Sequence, residues 1–226
     1  MEKHDFIHLY WKNYISIEKE FSGTLNYITL DIDNYDVFSP AYIKILLQVG
    51  SEIDIIAKLL CENYEKSTKV NKIKDYRTEI MKRECDFCNT KVKILQSKDN
   101  LRIIPWEAWG RTTNNGTEET PSWWKVYNKI KHERNSIGTI DGVNKEHYKF
   151  ANLKYTLFSL AGLYQLLMYY YFDLVQGERI KVPLPGSRLF LLSGGKWDNI
   201  IFYQDIAFYV DDTDGNLYSE SGEFVY

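Results

Sequence analysis

The run Tyr127-Asn-Lys-Ile-Lys-His-Glu-Arg134 holds the residues of this chain best suited to chemistry. On a helix, Lys125, Asn128 and His132 stand at i, i+3 and i+7 and share one face. Lys129 borders that face, while Lys131 and Arg134 add positive charge around the same turns. An imidazole takes up and releases protons near neutrality. Ammonium and guanidinium groups stabilise the charge that develops on phosphate oxygens during displacement. Cleaving RNA through its own 2′-hydroxyl requires both capacities. A plainly structural reading competes with this one. Arginine near a helix C-terminus is favoured by the dipole alone, and Asn128 is equally suited to tying two helices together.

Glu52 is the second residue to weigh, because it falls on an apolar helical stripe. A carboxylate there is costly unless it is paired. The expectation is that it holds Arg134 or orients His132; the alternative is a stripe margin facing water. Cys85-x-x-Cys88 is half a zinc site. Structural zinc takes four ligands, no second pair is present, and His147 and Cys61 are distant in sequence. No metal and no cofactor are therefore expected. Asp211-Asp-Thr-Asp-Gly-Asn216 has its glycine misplaced for a calcium loop and reads as a tight hairpin turn.

The elements that must position these residues are punctuated clearly. Ser39-Pro40 is an N-cap with proline at the first helical position, and the helix it opens runs to about Asn63. That helix carries apolar stripes on two sides, so it is covered on two sides. An earlier helix spans Phe6 to Phe21, and a basic one runs from about Lys69 to Glu84. Residues 85–120 read as a long irregular connection pinned to the bundle by Trp106 and Trp109. Thr120-Pro121-Ser122 opens the helix bearing the charged run. Asn144 is the expected cap of a last helix reaching about Gln176. Beyond Gly177, the segments RLFLL, NIIFYQ and IAFYV are short, β-branched and aromatic, as an antiparallel meander requires, with Asp214-Gly215 closing one turn. The expected organisation is a mainly α bundle over residues 1–178, with a β-meander appendage over 179–226 packed on it.

Bulk properties narrow the function classes. The 226 residues are 44% apolar and 26% charged, which is ordinary for a globular chain with a real core. Aromatics reach 15%, including 18 Tyr, and Tyr-rich surfaces favour interfaces. A net charge of −3 excludes a generally polycationic nucleic-acid binder. Charge is uneven, however. Residues 66–93 hold nine Lys or Arg against four acids, whereas residues 205–226 hold six acids and no Lys or Arg. A polyanion would meet the helical body and avoid the tail. Three cysteines are too few for a disulfide framework, and MEKHDFIHLYWKN lacks an apolar core segment, so a cytoplasmic protein is expected. Tyr155–Phe172 is free of charge but diluted by five tyrosines, Thr156, Ser159 and Gln165. It suits the centre of a bundle better than a bilayer.

The order of these features resembles the HEPN superfamily of defence, toxin and RNA-processing proteins. The likeness rests on Ser51-Glu-Ile-Asp54, on Tyr127–Arg134, on Ala151-Asn-Leu-Lys, and on Leu160-Ala-Gly-Leu-Tyr-Gln-Leu166, and it covers about residues 6–178. It implies a four- or five-helix bundle that dimerises, with an Arg-x4-6-His motif from each subunit cleaving RNA without a metal. His132 matches that histidine. No arginine lies five to seven residues before it, and Lys125 occupies the outermost of those positions. Lysine keeps the charge but loses the bidentate fork. The resemblance thus implies an RNA-directed homodimer: a metal-independent endoribonuclease of a toxin or phage-defence system, with His132, Asn128, Lys125 and Glu52 as site residues and Lys129, Lys131 and Arg134 as RNA contacts. The alternative is a non-catalytic dimeric scaffold binding RNA, an antitoxin or another protein partner.

Overall fold

The computed structural model describes residues 1–67, 69–97, 101–112, 116, 118–176, 182–198, 200–203, 206–210 and 216–218. The fold is mostly helical with small antiparallel sheets. Two long helices, α3 (Pro40–Tyr64) and α6 (Leu153–Leu174), form its axis and share the most extensive helix–helix contact. Both begin where their caps dictate. The Ser39 hydroxyl accepts from the Tyr42 N–H at 3.2 Å, with Pro40 just inside the helix. Asn152 Oδ1 accepts from the Tyr155 N–H at 3.0 Å. Helix α6 is buried on nearly every side from Leu153 to Tyr171, as its uncharged sequence requires. None of the helices, among the described residues, is long and apolar enough to cross a membrane.

Around this axis pack α1 (Lys3–Phe6) and α2 (Lys12–Thr24), joined by a π-turn at Ile7–Trp11, then α4 (Ile73–Arg83) and α5 (Ser122–Glu133). Helices α3 and α5 approach closely at Gly50, where a Cβ would stand 2.2 Å from Tyr127 Cδ2. Glycine weakens a helix interior, so its presence here is a packing requirement. Gly50→Ala, which would ordinarily stabilise a helix, should instead destabilise this protein by about 1–3 kcal/mol through overpacking. A thermal melt reads this directly; an unchanged or raised midpoint would contradict it.

Residues 85–120 are more regular than their composition suggests. They contain β1 (Lys91–Ile94), β2 (Arg102–Ile103) and a 3-10 turn at Glu107–Gly110. Trp106 and Trp109 do pin the segment. Their ring centroids lie 4.2 Å apart, Trp106 meets Trp123 edge-on at 4.8 Å, and Trp106 Nε1 donates to the Gly162 carbonyl at 3.2 Å.

Two expectations need correction. The helix expected from Asn144 begins at Leu153 instead, because residues 137–146 form a hairpin of β3 (Ile137–Ile140) and β4 (Val143–Glu146). Asp141 and Gly142 supply its two-residue turn with φ of 50° and 79°, the conformation such turns demand. The second correction concerns the boundary at 178. Strand β5 (Phe190–Ser193) pairs antiparallel with β1, from Lys91 opposite Ser193 to Ile94 opposite Phe190. Leu189, Phe190 and Trp197 are buried in the same core as the helices. Residues 182–198 thus share the core of the helices, and β5 pairs with β1 rather than with the meander. The meander itself is β6 (Ile200–Tyr203), β7 (Ile206–Val210) and β8 (Leu217–Tyr218). The turn expected at Asp214-Gly215 lies outside the described residues.

Candidate active site on helix α5

Helix α5 is amphipathic in a way that decides where its charges go. Trp123, Trp124, Val126, Tyr127 and Ile130 are buried against the bundle. Lys125, Lys131, His132, Glu133 and Arg134 are exposed, and Asn128 and Lys129 are half-buried at the margins. The aromatic backing is rigid. Trp123 Nε1 donates to the Pro105 carbonyl at 2.7 Å, and Tyr127 lies against Gly50. Lys125, Asn128, Lys129 and His132 therefore share the outward side of one well-anchored helix.

Their individual surroundings differ. Lys129 pairs with Glu133 at 2.9 Å; this hydrogen bond and charge hold the Glu133 carboxyl below its usual value. Lys131 Nζ lies 5.5 Å from the Tyr127 ring centroid. Asn128 Nδ2 donates to the Trp124 carbonyl at 3.0 Å, so its amide is already held by its own helix. No described side chain hydrogen-bonds the His132 ring, which is exposed near the C-terminus of α5.

Two clefts flank α5; between them they take in Lys125, Asn128 and Lys131 of the expected site, whereas His132, Lys129, Arg134 and Glu52 line neither. One, of about 350 Å³, is bounded by Asp54, Lys72, Trp124, Tyr127, Asn128 and Lys131. The other, of about 710 Å³, includes Lys125 but not Asn128. Lys125 stands about 10 Å along the axis from His132 by helical rise. The expected residues thus lie on one face without converging on one point.

Glu52 lies elsewhere. It is half-buried on the α2 side of α3, where burial raises its carboxyl pKa and a hydrogen bond with Asn13 partly offsets this. The expectation that it holds Arg134 or orients His132 is corrected by helical geometry. Gly50 faces α5, and a residue two positions on is rotated about 200° away. Asp54, one full turn after Gly50, is the acid that faces α5. Its Oδ1 accepts from the Tyr76 hydroxyl at 2.9 Å, and burial followed by that bond raises the Tyr76 pKa. Asp54 was visible in the sequence, in the same four-residue motif as Glu52.

A second missed residue is His147, buried at 2% exposure. Its Nδ1 lies 2.7 Å from the Glu133 carbonyl, which can only accept, so Nδ1 carries the proton. The backbone N–H of His147 donates to the Ser136 carbonyl at 2.9 Å. His147 thereby fastens the C-terminal end of α5 to the hairpin, and nothing local in the sequence signals this. Gly138 makes room for the ring, since a Cβ there would stand 2.5 Å from Nε2. Of the CxxC pair, Cys85 is exposed and Cys88 is buried beside Gly110. Among the described residues, no group of three or more His, Cys, Asp or Glu side chains is placed to hold a metal ion.

Fold and site together define a mainly helical protein with a cationic, histidine-bearing helix face flanked by two clefts. No family model, curated protein or solved structure matches the chain.

Proposed function

We propose that this chain is a HEPN-like, RNA-directed homodimer that cleaves RNA without a metal, His132 moving the proton. The observation supporting this is the exposed side of α5, which carries His132 with Lys125 and Lys129 on one face, and Lys131 and Arg134 around the same turns, on a rigid aromatic backing. RNA phosphates would lie along the lysines, and the imidazole would meet the 2′-hydroxyl or the leaving 5′-oxygen. Asp54 and Lys131 would stand on the flank of the scissile nucleotide. A second copy related by a two-fold axis near α5 would bring a second set of cations to the exposed ring. A growth-arresting or phage-defence role is the biological setting this reading implies.

One observation favours the second reading, a non-catalytic dimeric scaffold: His132 has no described partner to orient it. The experiment that separates them is incubation of the purified protein with an RNA panel in EDTA. Cleavage with 2′,3′-cyclic phosphate and 5′-hydroxyl ends supports the enzyme, because the attacking oxygen belongs to the substrate. Absence of cleavage, with RNA binding indifferent to His132→Ala, replaces it with the scaffold.

A further inference from the structure

Lys196 sits in the 3-10 turn Gly195–Trp197, which follows β5. Its Nζ lies 4.3 Å from the ring centroid of Tyr169, 4.6 Å from that of Phe172 and 5.4 Å from that of Trp197. The carboxylate of Glu84, the C-cap of α4, stands 2.8 Å from the same nitrogen. Three aromatic rings and one carboxylate thus surround a single ammonium. Cages of this composition recognise alkylated ammonium ions.

The cage is built by the fold and not by its occupant. Tyr169 and Phe172 stand three positions apart on α6 and share a face. Trp197 meets both edge-on, at centroid distances of 5.1 and 5.3 Å. The Tyr169 hydroxyl shares a hydrogen bond with Thr90 Oγ1 at 2.7 Å, and the Phe87 ring packs on Tyr169 at 4.8 Å. Trp197 is 2% exposed, whereas the Lys196 side chain is 28% exposed. The ammonium can therefore swing out to solvent by rotating its own side chain, and the three rings keep their places.

Lysine is a poor match to the cage it fills. A primary ammonium is compact and strongly hydrated, so it gives up much of its water among the rings. Its ion pair with Glu84 is about a quarter exposed on both sides, and pairs near the surface contribute little. A trimethylammonium group carries the same charge with less water to lose, and its methyl groups cover apolar ring surface. A cleft of about 320 Å³ adjoins the cage and is lined further by Arg83, Asp86 and Asn89; its size suits a small molecule. With Lys196 turned outward, the charged side chains left in the cleft are Glu84 and Asp86 against Arg83 alone. Arg83 is itself drawn over the Tyr64 ring, 5.9 Å from its centroid. The balance is then negative, as a cationic ligand requires.

We propose that this cleft binds a small quaternary ammonium compound of the choline class, its trimethylammonium group replacing the Lys196 ammonium among Tyr169, Phe172, Trp197 and Glu84. Lys196 is a tethered competitor that sets the affinity. The proposal goes beyond the RNA-directed reading and uses no residue of α5.

The test is calorimetric titration of the full chain with choline and, in parallel, with its uncharged carbon isostere, the alcohol in which tert-butyl replaces trimethylammonium. Lys196→Ala should bind choline with a dissociation constant of about 1 mM or tighter. The wild type should bind it about tenfold more weakly, because its own cation–π contacts must first be given up. The isostere should bind each chain at least about tenfold more weakly than choline, the scale of a partly desolvated cation–π contact. Phe172→Leu, added to Lys196→Ala, keeps apolar bulk at a half-buried position and removes one π face. It should weaken choline binding about threefold or more and leave the isostere unchanged. The comparison of choline with its isostere in the wild type needs no substitution, so it decides the matter even if a variant fails to fold. Binding of choline by neither chain, or no tighter than its isostere, overturns the proposal. So does an affinity untouched by Lys196→Ala or by Phe172→Leu.

Discussion

Replacing His132 by alanine should lower the rate of RNA cleavage by about 100-fold or more, the usual scale for removing a general acid or base. The side chain is exposed and makes no described hydrogen bond, so the change should leave the thermal midpoint nearly untouched. Activity and stability are thereby cleanly separated at this position. Lys125→Ala should also reduce cleavage if its charge is used, whereas Lys125→Arg should preserve or raise it by restoring the planar fork. Asp54→Asn keeps a hydrogen-bond acceptor for the Tyr76 hydroxyl while removing the charge beside Asn128 and Lys131. A shift in the pH–rate profile of Asp54→Asn, with unchanged stability, would mark Asp54 as part of the site rather than of the scaffold. If His132→Ala cleaves as fast as the wild type, the catalytic assignment fails at its centre.

A chain ending at residue 177 should not fold. The change of pattern after Gly177 suggests an appendage packed on the bundle, but residues 182–197 supply part of the bundle's own core. Truncation strips Leu189, Phe190, Leu192 and Trp197 from the core. Full burial of such side chains contributes about 1.5–3 kcal/mol each, and together they approach the roughly 5–15 kcal/mol by which whole domains are stable. Two polar losses add to this. Strand β1 loses the partner on one edge. Buried Glu18 loses the Ser187 hydroxyl and the Arg188 N–H, the latter donating at 2.8 Å, and keeps only the Tyr14 hydroxyl. A buried carboxylate short of donors is strongly destabilising. The expected result is loss of cooperative thermal unfolding by circular dichroism. A truncated chain with full helical signal and a sharp melt would show that the segment is an appendage after all.

The sequence by itself determined the parts of this protein governed by local rules. Ser39-Pro40 set the start of α3, because a cap hydroxyl and a proline act on their own first turn. The uncharged run after Tyr155 placed α6 at the centre, because a helix apolar all round must be covered all round. The spacing of Lys125, Asn128 and His132 on one face followed from helical periodicity alone. The Asp141-Gly142 turn of the β3–β4 hairpin is a local signal of the same kind, and Asn144, the expected helix cap, lies in β4.

Tertiary structure decided what depends on which face meets which neighbour. Glu52 and Asp54 are two residues apart and equally acidic; only the contact of Gly50 with Tyr127 selects the one that reaches α5. Periodicity fixes the angle between positions on a helix, but not the direction in which the helix is turned. The pairing of β1 with β5 and the hydrogen bond from His147 to Glu133 are likewise invisible locally. They join segments separated in the chain, and their free energy comes from burying side chains and backbone groups that no sequence window contains together.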